Sequence, residues 1–520
     1  MEKTHIAYVL LFFLFAVFFL RLRRRRGKPR STTAHCPHPN PILGNTLEFI
    51  RNRRRFFDWY ADLLRAAPSG AIEAWGPFGS GHAMTTACPE DVDHLLRAGF
   101  ANYVKGSRLR DAAAELIGDG LFAADGRVWS LQRKLASYAF SSRSLRRFAD
   151  DVLQVHLQRR LLPFLDAAAA AGEAVDLQDA LRRFAFDAIC HVSFGVESSA
   201  LVGPRHEALF AAFDTALEIS FVRALTPSTW VRRLTKLLNA GNSRRLREAV
   251  DVIDAYAMSV VESKEARPRT GLGDGGDPDL LSRFTAAMDE EEDDGVAGEL
   301  GAMFPTPEAK LRFLRDVVVS FVLAGKDTTS SALTWFFWLL AANPRCERRV
   351  REESTSSRGG DGKATSYLHA AITEAMRLYP PVPFNGRVAV ADDVLPSGAA
   401  VRAGWHANYS AYAMGRMEAL WGADCMEFSP ERWLGDGGEF VPADAARYPV
   451  FHAGPRVCLG KEMAYVQMKT VAAAVLRRFR VDVVTPAASM EAPPAYEMMA
   501  TLKMKGGLWV RLRRREESAH

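Results

Sequence analysis

From Leu311 to Ala342 apolar residues recur at every third and fourth position with little interruption, a pattern that predicts a single α-helix. A helix of roughly 30 residues at 1.5 Å per residue spans about 45 Å, and Asn343-Pro344 ends it. Something this long and this apolar has to run through the middle of a protein. One large domain organised around a central helix is therefore expected, although 520 residues would ordinarily divide into more than one core. From about Arg54 onward the pattern is mainly helical, and only short alternating runs such as Ala71–Trp75, Gly386–Val390 and Leu508–Leu512 read as strands. The expected class is mainly α with small β-sheets. Arg267–Asp279 and the acidic run Asp289–Gly295 read as solvated loops, and no repeat is present.

With 48% hydrophobic and 25% charged residues the chain is neither disordered nor fibrous. Its net charge of +6 would suggest nucleic acid until it is located. Residues 1–30 hold Lys3, Arg21, Arg23 to Arg26, Lys28 and Arg30 against Glu2 alone, which is +7 and leaves −1 for everything after them. No nucleic-acid partner is expected. The basic cluster follows fifteen uncharged apolar residues, Ile6 to Leu20. That run is shorter than the roughly 20 residues that span hydrocarbon comfortably. The absence of a small-residue cleavage site after it, and the positive flank on its carboxyl side, favour an uncleaved anchor over a signal peptide. The positive-inside rule then keeps the rest of the chain cytosolic. Residues 1–30 are read as a membrane anchor with a basic stop-transfer flank, and 31–520 as one domain. Pro37, Pro39 and Pro41 should make a stiff, extended connection to it. Six widely spaced cysteines agree with a reducing compartment.

One cysteine stands in a distinctive context. Residues 451–460 read FHAGPRVCLG, and the spacing Phe451-x-x-Gly454-x-Arg456-x-Cys458-x-Gly460 resembles the haem-binding loop of the cytochrome P-450 superfamily. The resemblance implies haem b with Cys458 as its axial thiolate, a ligand that pushes electron density onto iron and favours O–O cleavage. A helix starting near Lys461 would aim unpaired N–H groups and its positive dipole end at the sulfur. Gly454 and Gly460 allow backbone bends, Phe451 would shield the sulfur from water, and Arg456 would pair with a haem propionate.

Three further segments match in family order. Ala324-Gly325-Lys326-Asp327-Thr328-Thr329, on the long helix, resembles the oxygen-activation motif. It implies Asp327 and Thr328 as catalytic residues that deliver protons on the distal side of the haem, with Gly325 leaving room for dioxygen. Thr328 could also bond back to the Ala324 carbonyl and bend the helix. Glu374-Ala375-Met376-Arg377 matches the Glu-x-x-Arg helix, completed in the family by the arginine of Phe428-Ser429-Pro430-Glu431-Arg432 to lock the cysteine loop. Trp129 and Arg133 resemble a propionate-binding pair, and Arg387 is a further propionate candidate. The resemblance covers residues 31–520 and implies the cytochrome P-450 fold, a single haem-binding domain. One departure is Arg351–Ser366, low in helix signal where relatives continue a helix, which bears on the packing just before Glu374.

FVLAGKDTTSSALTWFFWLL, DDVLPSG, YAMGRMEALWG and YPVFHAGPRVCLGKEMAYVQMK are similar to the plant microsomal family that hydroxylates fatty acids at or near the ω-carbon, some members of which oxidise jasmonoyl-isoleucine. Lys326 stands where relatives more often have Arg. The implied enzyme is an NADPH- and O2-dependent monooxygenase of the endoplasmic reticulum membrane, a monomer served by an NADPH–cytochrome reductase and acting on a lipid-like small molecule. Arg133, Lys134 and Lys461 are expected to form its reductase-docking patch. The apolar residues Leu121, Phe122, Phe321, Val322 and Val382 to Phe384 are pocket candidates suited to an alkyl chain. The alternatives are a jasmonoyl-isoleucine 12-hydroxylase or oxidase, a haem-thiolate hydroperoxide isomerase or dehydratase, for which the Asp327–Thr328 pair would be superfluous, and a non-enzymatic haem sensor.

Overall fold

The computed structural model describes residues 33–201, 206–225, 241–265, 279–289, 296–356, 366–484 and 492–515. The proposed anchor, the basic cluster and nearly all of the loops 267–279 and 289–295 lie outside these residues. The principal helices are α1 (Phe56–Ala66), α2 (Gly106–Ile117), α3 (Gly126–Ser137), α4 (Leu177–Phe194), α5 (Glu207–Leu225), α6 (Asn242–Glu265), α7 (Pro307–Ala342), α8 (Pro344–Ser356), α9 (Ser366–Leu378) and α10 (Lys461–Arg478). Strands are short: β1 (Ala34–His35), β2 (Ala71–Ala74), β3 (Ala83–Thr86), β4 (Tyr103–Val104), β5 (Ala174–Asp176), β6 (Asn385–Ala389), β7 (Asp393–Val394), β8 (Ala400–Val401), β9 (His406–Tyr409), β10 (Phe479–Val483) and β11 (Trp509–Arg514).

The expected central helix is α7, 36 residues long and buried along most of its course, which makes it about 54 Å long. It begins four residues earlier than its apolar pattern because Thr306 caps it, accepting from the Ala309 N–H, and Pro307 occupies the first position. Asn343 and Pro344 end it as expected. Its longest packed face lies on α4. That neighbour starts at Asp176, which accepts from Gln178 N–H, and stops at Gly195 in the left-handed region. Two apolar cores flank α7. One holds Trp335 and Trp338 with α1, α9, α10 and the sheets, and the other joins its first half to α4, α5 and α6.

The main sheet runs β1-β2-β3-β9-β6-β4, and smaller sheets pair β10-β11-β5 and β7-β8. All three strand expectations hold within a residue or two. Other strands, such as β3 and β9, pair in parallel across more than 300 residues of sequence and are too short to show a periodicity of their own. The proline-rich segment is corrected: it is a strand edge followed by a turn, with Asn40 Oδ1 accepting from the N–H groups of Ile42 and Leu43 and Gly44 at φ +59°. The segment with weak helix signal is helical as far as Ser356. The Glu353 carboxylate of α8 caps α9 by accepting from Tyr367 N–H at 2.9 Å and Leu368 N–H at 2.7 Å, which fixes the approach to Glu374. Among the described residues no helix is long and apolar enough to cross a membrane.

Candidate active site

The loop carrying Cys458 is closed by its own backbone: Cys458 N–H donates to Phe451 O at 2.8 Å, and Val457 N–H to Gly454 O at 3.0 Å. Gly454 sits at φ +64°, and a Cβ there would strike the Leu96 carbonyl oxygen, so this position requires glycine. The helix α10 starts at Lys461 as expected. Cys458 faces a cavity floored by Phe451, Val457, Leu459, Gly460, Met463 and Ala464. It is open to that cavity yet surrounded by protein, and burial pushes its thiol up, while the Gly460 N–H, Arg133 and Lys461 pull the other way. Phe451 packs against Tyr465 at 5.3 Å between ring centres.

The cavity brings together residues from distant parts of the chain. Trp129, Arg133, Arg387 and Arg456 all line it, as expected, and Lys105 and His452 join them. Arg456 donates to Asp125 Oδ1 at 2.8 Å and Ala124 O at 2.9 Å, and stacks over Trp129 at 4.3 Å. Arg133 donates to Val457 O at 2.6 Å, tying α3 to the cysteine loop. Arg387, 1% exposed, donates to Gly386 O. His452 occupies φ +61° and meets Asn385 Oδ1 at 3.0 Å. Burial, then Arg387, Lys105 and Arg456, hold the imidazole well below its ordinary pKa, so it is neutral at neutral pH.

Lys105, Arg133, Arg387 and Arg456 thus line one cavity, and Asp125 pairs with Arg456 behind it. Burial and Arg387 lower the Arg456 pKa to about 10, and Arg387 is lowered by burial. The Nε atoms of Arg387 and Arg456 are buried without hydrogen-bond partners. Unsatisfied buried guanidinium donors beside a soft sulfur ligand are the complement of a flat group with two carboxylates and an iron. The residues present fit haem: Cys458 would be the iron ligand, and Trp129, Arg133, Arg387 and Arg456 are placed where they would meet its propionates.

The opposite wall is α7, through Phe321, Ala324, Gly325, Thr328, Thr329 and Ala332. Thr328 donates to Ala324 O at 2.6 Å, the back-bond anticipated from the sequence. Gly325 has a different reason than room for dioxygen alone: a Cβ would lie 2.5 Å from Ile189 Cγ1, so its absence lets α4 pack against α7. Asp327 is not on the wall. It pairs with Lys326 and lines a small separate cavity with Arg182, Asp214 and Lys503, and its Oδ2 is buried without a partner. Lys326 is fully buried over the rings of Phe210 and Phe213.

Of the pocket candidates, Leu121, Phe122, Phe321 and Val382 line the cavity. Val322 does not, because it faces the core between α7 and its neighbours, and Phe384 is packed among Phe56 and Tyr60. Pro383 is likewise away from the wall. The docking patch loses Arg133, which is turned to the cavity and Val457, and keeps the exposed Lys134 and Lys461.

Glu374 and Arg377 are both fully buried and paired at 2.7 Å, with Arg432 3.5 Å from Glu374. The expected Glu–Arg–Arg cluster is present, and it has further partners. Arg377 donates to the carbonyls of Gly415, Cys425 and Glu427, and Glu374 accepts from Ser429 N–H and Trp433 Nε1–H. The cluster therefore holds residues 415–433 directly, and the cysteine loop is reached through Tyr448, whose hydroxyl donates to Thr373 O. Lys105 and His452 were missed by sequence reasoning. His452 lies inside the recognised loop at a position the pattern leaves open, and Lys105 had no signal, since only tertiary structure brings it here.

A family model described as Cytochrome P450 matches residues 34–506. Cytochrome P450 94B3 of Arabidopsis thaliana is 41% identical over 521 residues, 98% of each chain. Cytochrome P450 94A2 of Vicia sativa is 40% identical over 519 residues, 96% of each, and cytochrome P450 94B1 of Arabidopsis thaliana 40% over 504 residues, 94% of this chain and 93% of the relative.

Proposed function

The chain belongs to the cytochrome P450 family, a haem-thiolate monooxygenase, and on that premise we propose that it hydroxylates a fatty acid or fatty-acid-derived chain at or near its ω-carbon. Bound haem supplies the oxygen activation: one atom of O2 enters a C–H bond, the other leaves as water, and two electrons come from NADPH through a reductase. With haem bound, Cys458 would ligate the iron, Phe451 would keep water from the sulfur, and the surrounding cations would hold the propionates. Thr328, whose own proton goes to Ala324 O, presents Oγ1 on the cavity wall as the local acceptor that would hold a proton-bearing water there. Asp327, one residue earlier and facing the ion cluster on the other side of α7, relays protons toward it.

The observation that carries the substrate class is the lining above Cys458, where Leu121, Phe122, Phe321, Ala324 and Val382 present an apolar surface to an alkyl chain end. Residues 1–30 are read as the anchor to the endoplasmic reticulum membrane and 31–520 as one catalytic domain, a monomer with its substrate arriving from the lipid phase. The test is product analysis with free fatty acids of different lengths and jasmonoyl-isoleucine, with reductase and NADPH. Terminal or near-terminal alcohols are expected. Oxidation of jasmonoyl-isoleucine alone moves the substrate to the hormone conjugate, and turnover of a hydroperoxide without NADPH overturns the monooxygenase reading. A Cys458→Ala variant is expected to lose the thiolate signature in the reduced carbon-monoxide spectrum; its retention would refute the ligand.

A further inference from the structure

Where the first half of α7 meets the end of α2, three side chains of α7 grip one short loop. The buried Arg315 donates from Nη1 to Leu116 O at 2.7 Å and from Nη2 to Glu115 O at 3.2 Å, taking carbonyls that the last turn of α2 leaves open. Its Nε goes to Asp254 of α6 at 2.6 Å. Asp316, also buried, accepts from Arg315 at Oδ1 and from Asp119 N–H at Oδ2, both at 2.9 Å. The loop is shaped to come this close. Gly118 sits at φ +46°, and a Cβ there would strike the Asp316 carboxylate, while a Cβ on Gly120 would strike Ser320 Oγ. From the other side Gln132 of α3 donates to Asp119 O at 2.9 Å. The next two residues, Leu121 and Phe122, enter the cavity.

Asp316, Ser320, Ala324 and Thr328 recur every fourth residue of α7, so the clamp lies on the helix face that becomes the cavity wall, and Ser320 is about 12 Å from Thr328 along it. The gap between Leu121 and that wall is therefore fixed by α7 itself. A terminal methyl has stronger C–H bonds than the methylenes behind it, so oxidation at a chain end has to be imposed by position and not by reactivity. We propose that Arg315 and Asp316 are positioning residues for regiochemistry: by seating residues 118–120 on α7 they hold Leu121 and Phe122 against the alkyl chain and keep its end, not its flank, toward the reacting centre. The inference rests on the proposed ω-hydroxylation and names the residues that impose it.

The test compares holoenzymes. Asp316→Ala removes the acceptor for Asp119 N–H, and Gly118→Ala unseats the loop from its own side without altering α7. With reductase, NADPH and dodecanoic acid, both should raise the ratio of in-chain to terminal alcohol by about tenfold, the low end of what one methylene step in an apolar pocket is worth, while total product per haem stays within about threefold of wild type. A merely structural contact would lower the yield of holoprotein and leave that ratio alone. Where one variant takes up no haem the other carries the comparison, and Gln132→Met, which cuts only the tie to α3, should move the ratio the same way by a smaller factor. An unchanged ratio in the variants that take up haem overturns the proposal, as does a wild type that already oxidises dodecanoic acid mainly within the chain. Binding of 1-alkylimidazoles of increasing length, read from the Soret band, probes the same gap without turnover. Wild-type affinity should rise by up to about fourfold per methylene along the confined stretch, and the gain should flatten in Asp316→Ala and Gly118→Ala; equal gains in wild type and variants also overturn the inference. A wild type that oxidises neither fatty acids nor jasmonoyl-isoleucine yet shows this contrast fails the proposed substrate class and leaves the clamp standing.

Discussion

Arg377 uses every donor it has. A guanidinium carries five N–H groups, and here Nε and Nη2 meet the two oxygens of Glu374 at 2.7 Å, Nη2 also reaches Glu427 O, and Nη1 serves Gly415 O and Cys425 O. Both partners of the pair are fully buried. Lysine keeps the charge but has three donors on a point-like head, so Arg377→Lys breaks at least two of these five hydrogen bonds. At about 1.5–3 kcal/mol for each hydrogen bond made by a charged group, the cost is about 3–6 kcal/mol. Arg377→Met should cost more, because it abandons three carbonyls and also removes the closest cation from a buried carboxylate, itself about 3–5 kcal/mol. Against a total stability of about 5–15 kcal/mol, either change should sharply reduce recoverable holoprotein. Urea titration followed by haem absorbance and by tryptophan fluorescence orders the variants, with the exposed Arg244→Lys as a neutral control. If Arg377→Lys unfolds within about 1 kcal/mol of wild type, the five-bond reasoning fails.

Other consequences are independent of that cluster. Thr328→Val deletes the hydroxyl at the cavity wall with little change of volume, so NADPH consumption should continue while product falls and peroxide rises; unchanged coupling of NADPH to product would remove Thr328 from proton delivery. Gly454→Ala forces a side chain into the left-handed region and against the Leu96 carbonyl, and should lower haem incorporation even where the apoprotein accumulates; full incorporation would contradict the loop geometry. Burial, then Arg160 and His191, depress His156 to about 4, below the value of about 6.5 in an unfolded chain. The folded state therefore binds fewer protons between these values, so stability is intact above pH 6.5 and lost as pH falls toward 4, by up to about 3 kcal/mol; His156→Gln should flatten that limb in urea titrations at pH 7.5 and 5. Lys134→Glu with Lys461→Glu should slow reduction by the reductase more at low salt than at high, and a salt-independent rate would dismiss the patch.

What the sequence disclosed and what it withheld divide along chain separation. The central helix, its terminator, the start of α10 and the cysteine loop are local facts, written in periodicity and in five residues within ten positions. The direction in which side chains leave those elements was less accessible. Asp327 and Thr328 are neighbours in sequence, yet a helix turns about 100° per residue, so one faces the cavity and the other an ion cluster. The same rotation sends Phe321 to the wall and Val322 to the core. Gly325 was read as space for a ligand and does line the cavity, but its missing Cβ also admits Ile189 from a helix that no local pattern could place beside it.

The cationic girdle is the extreme case, because its members come from residues 105, 133, 387 and 456 and meet only after α2, α3, β6 and the cysteine loop have packed. Pattern matching found the three arginines, since each lies in or beside a recognisable segment. Lys105 carries no such signal and is found only because the fold brings it to the same cavity. Stability alone gives no reason to bring four cations to one cavity, and their mutual repulsion is offset most directly when an anionic group enters. The arrangement is therefore a statement about the bound state made by the protein's own side chains.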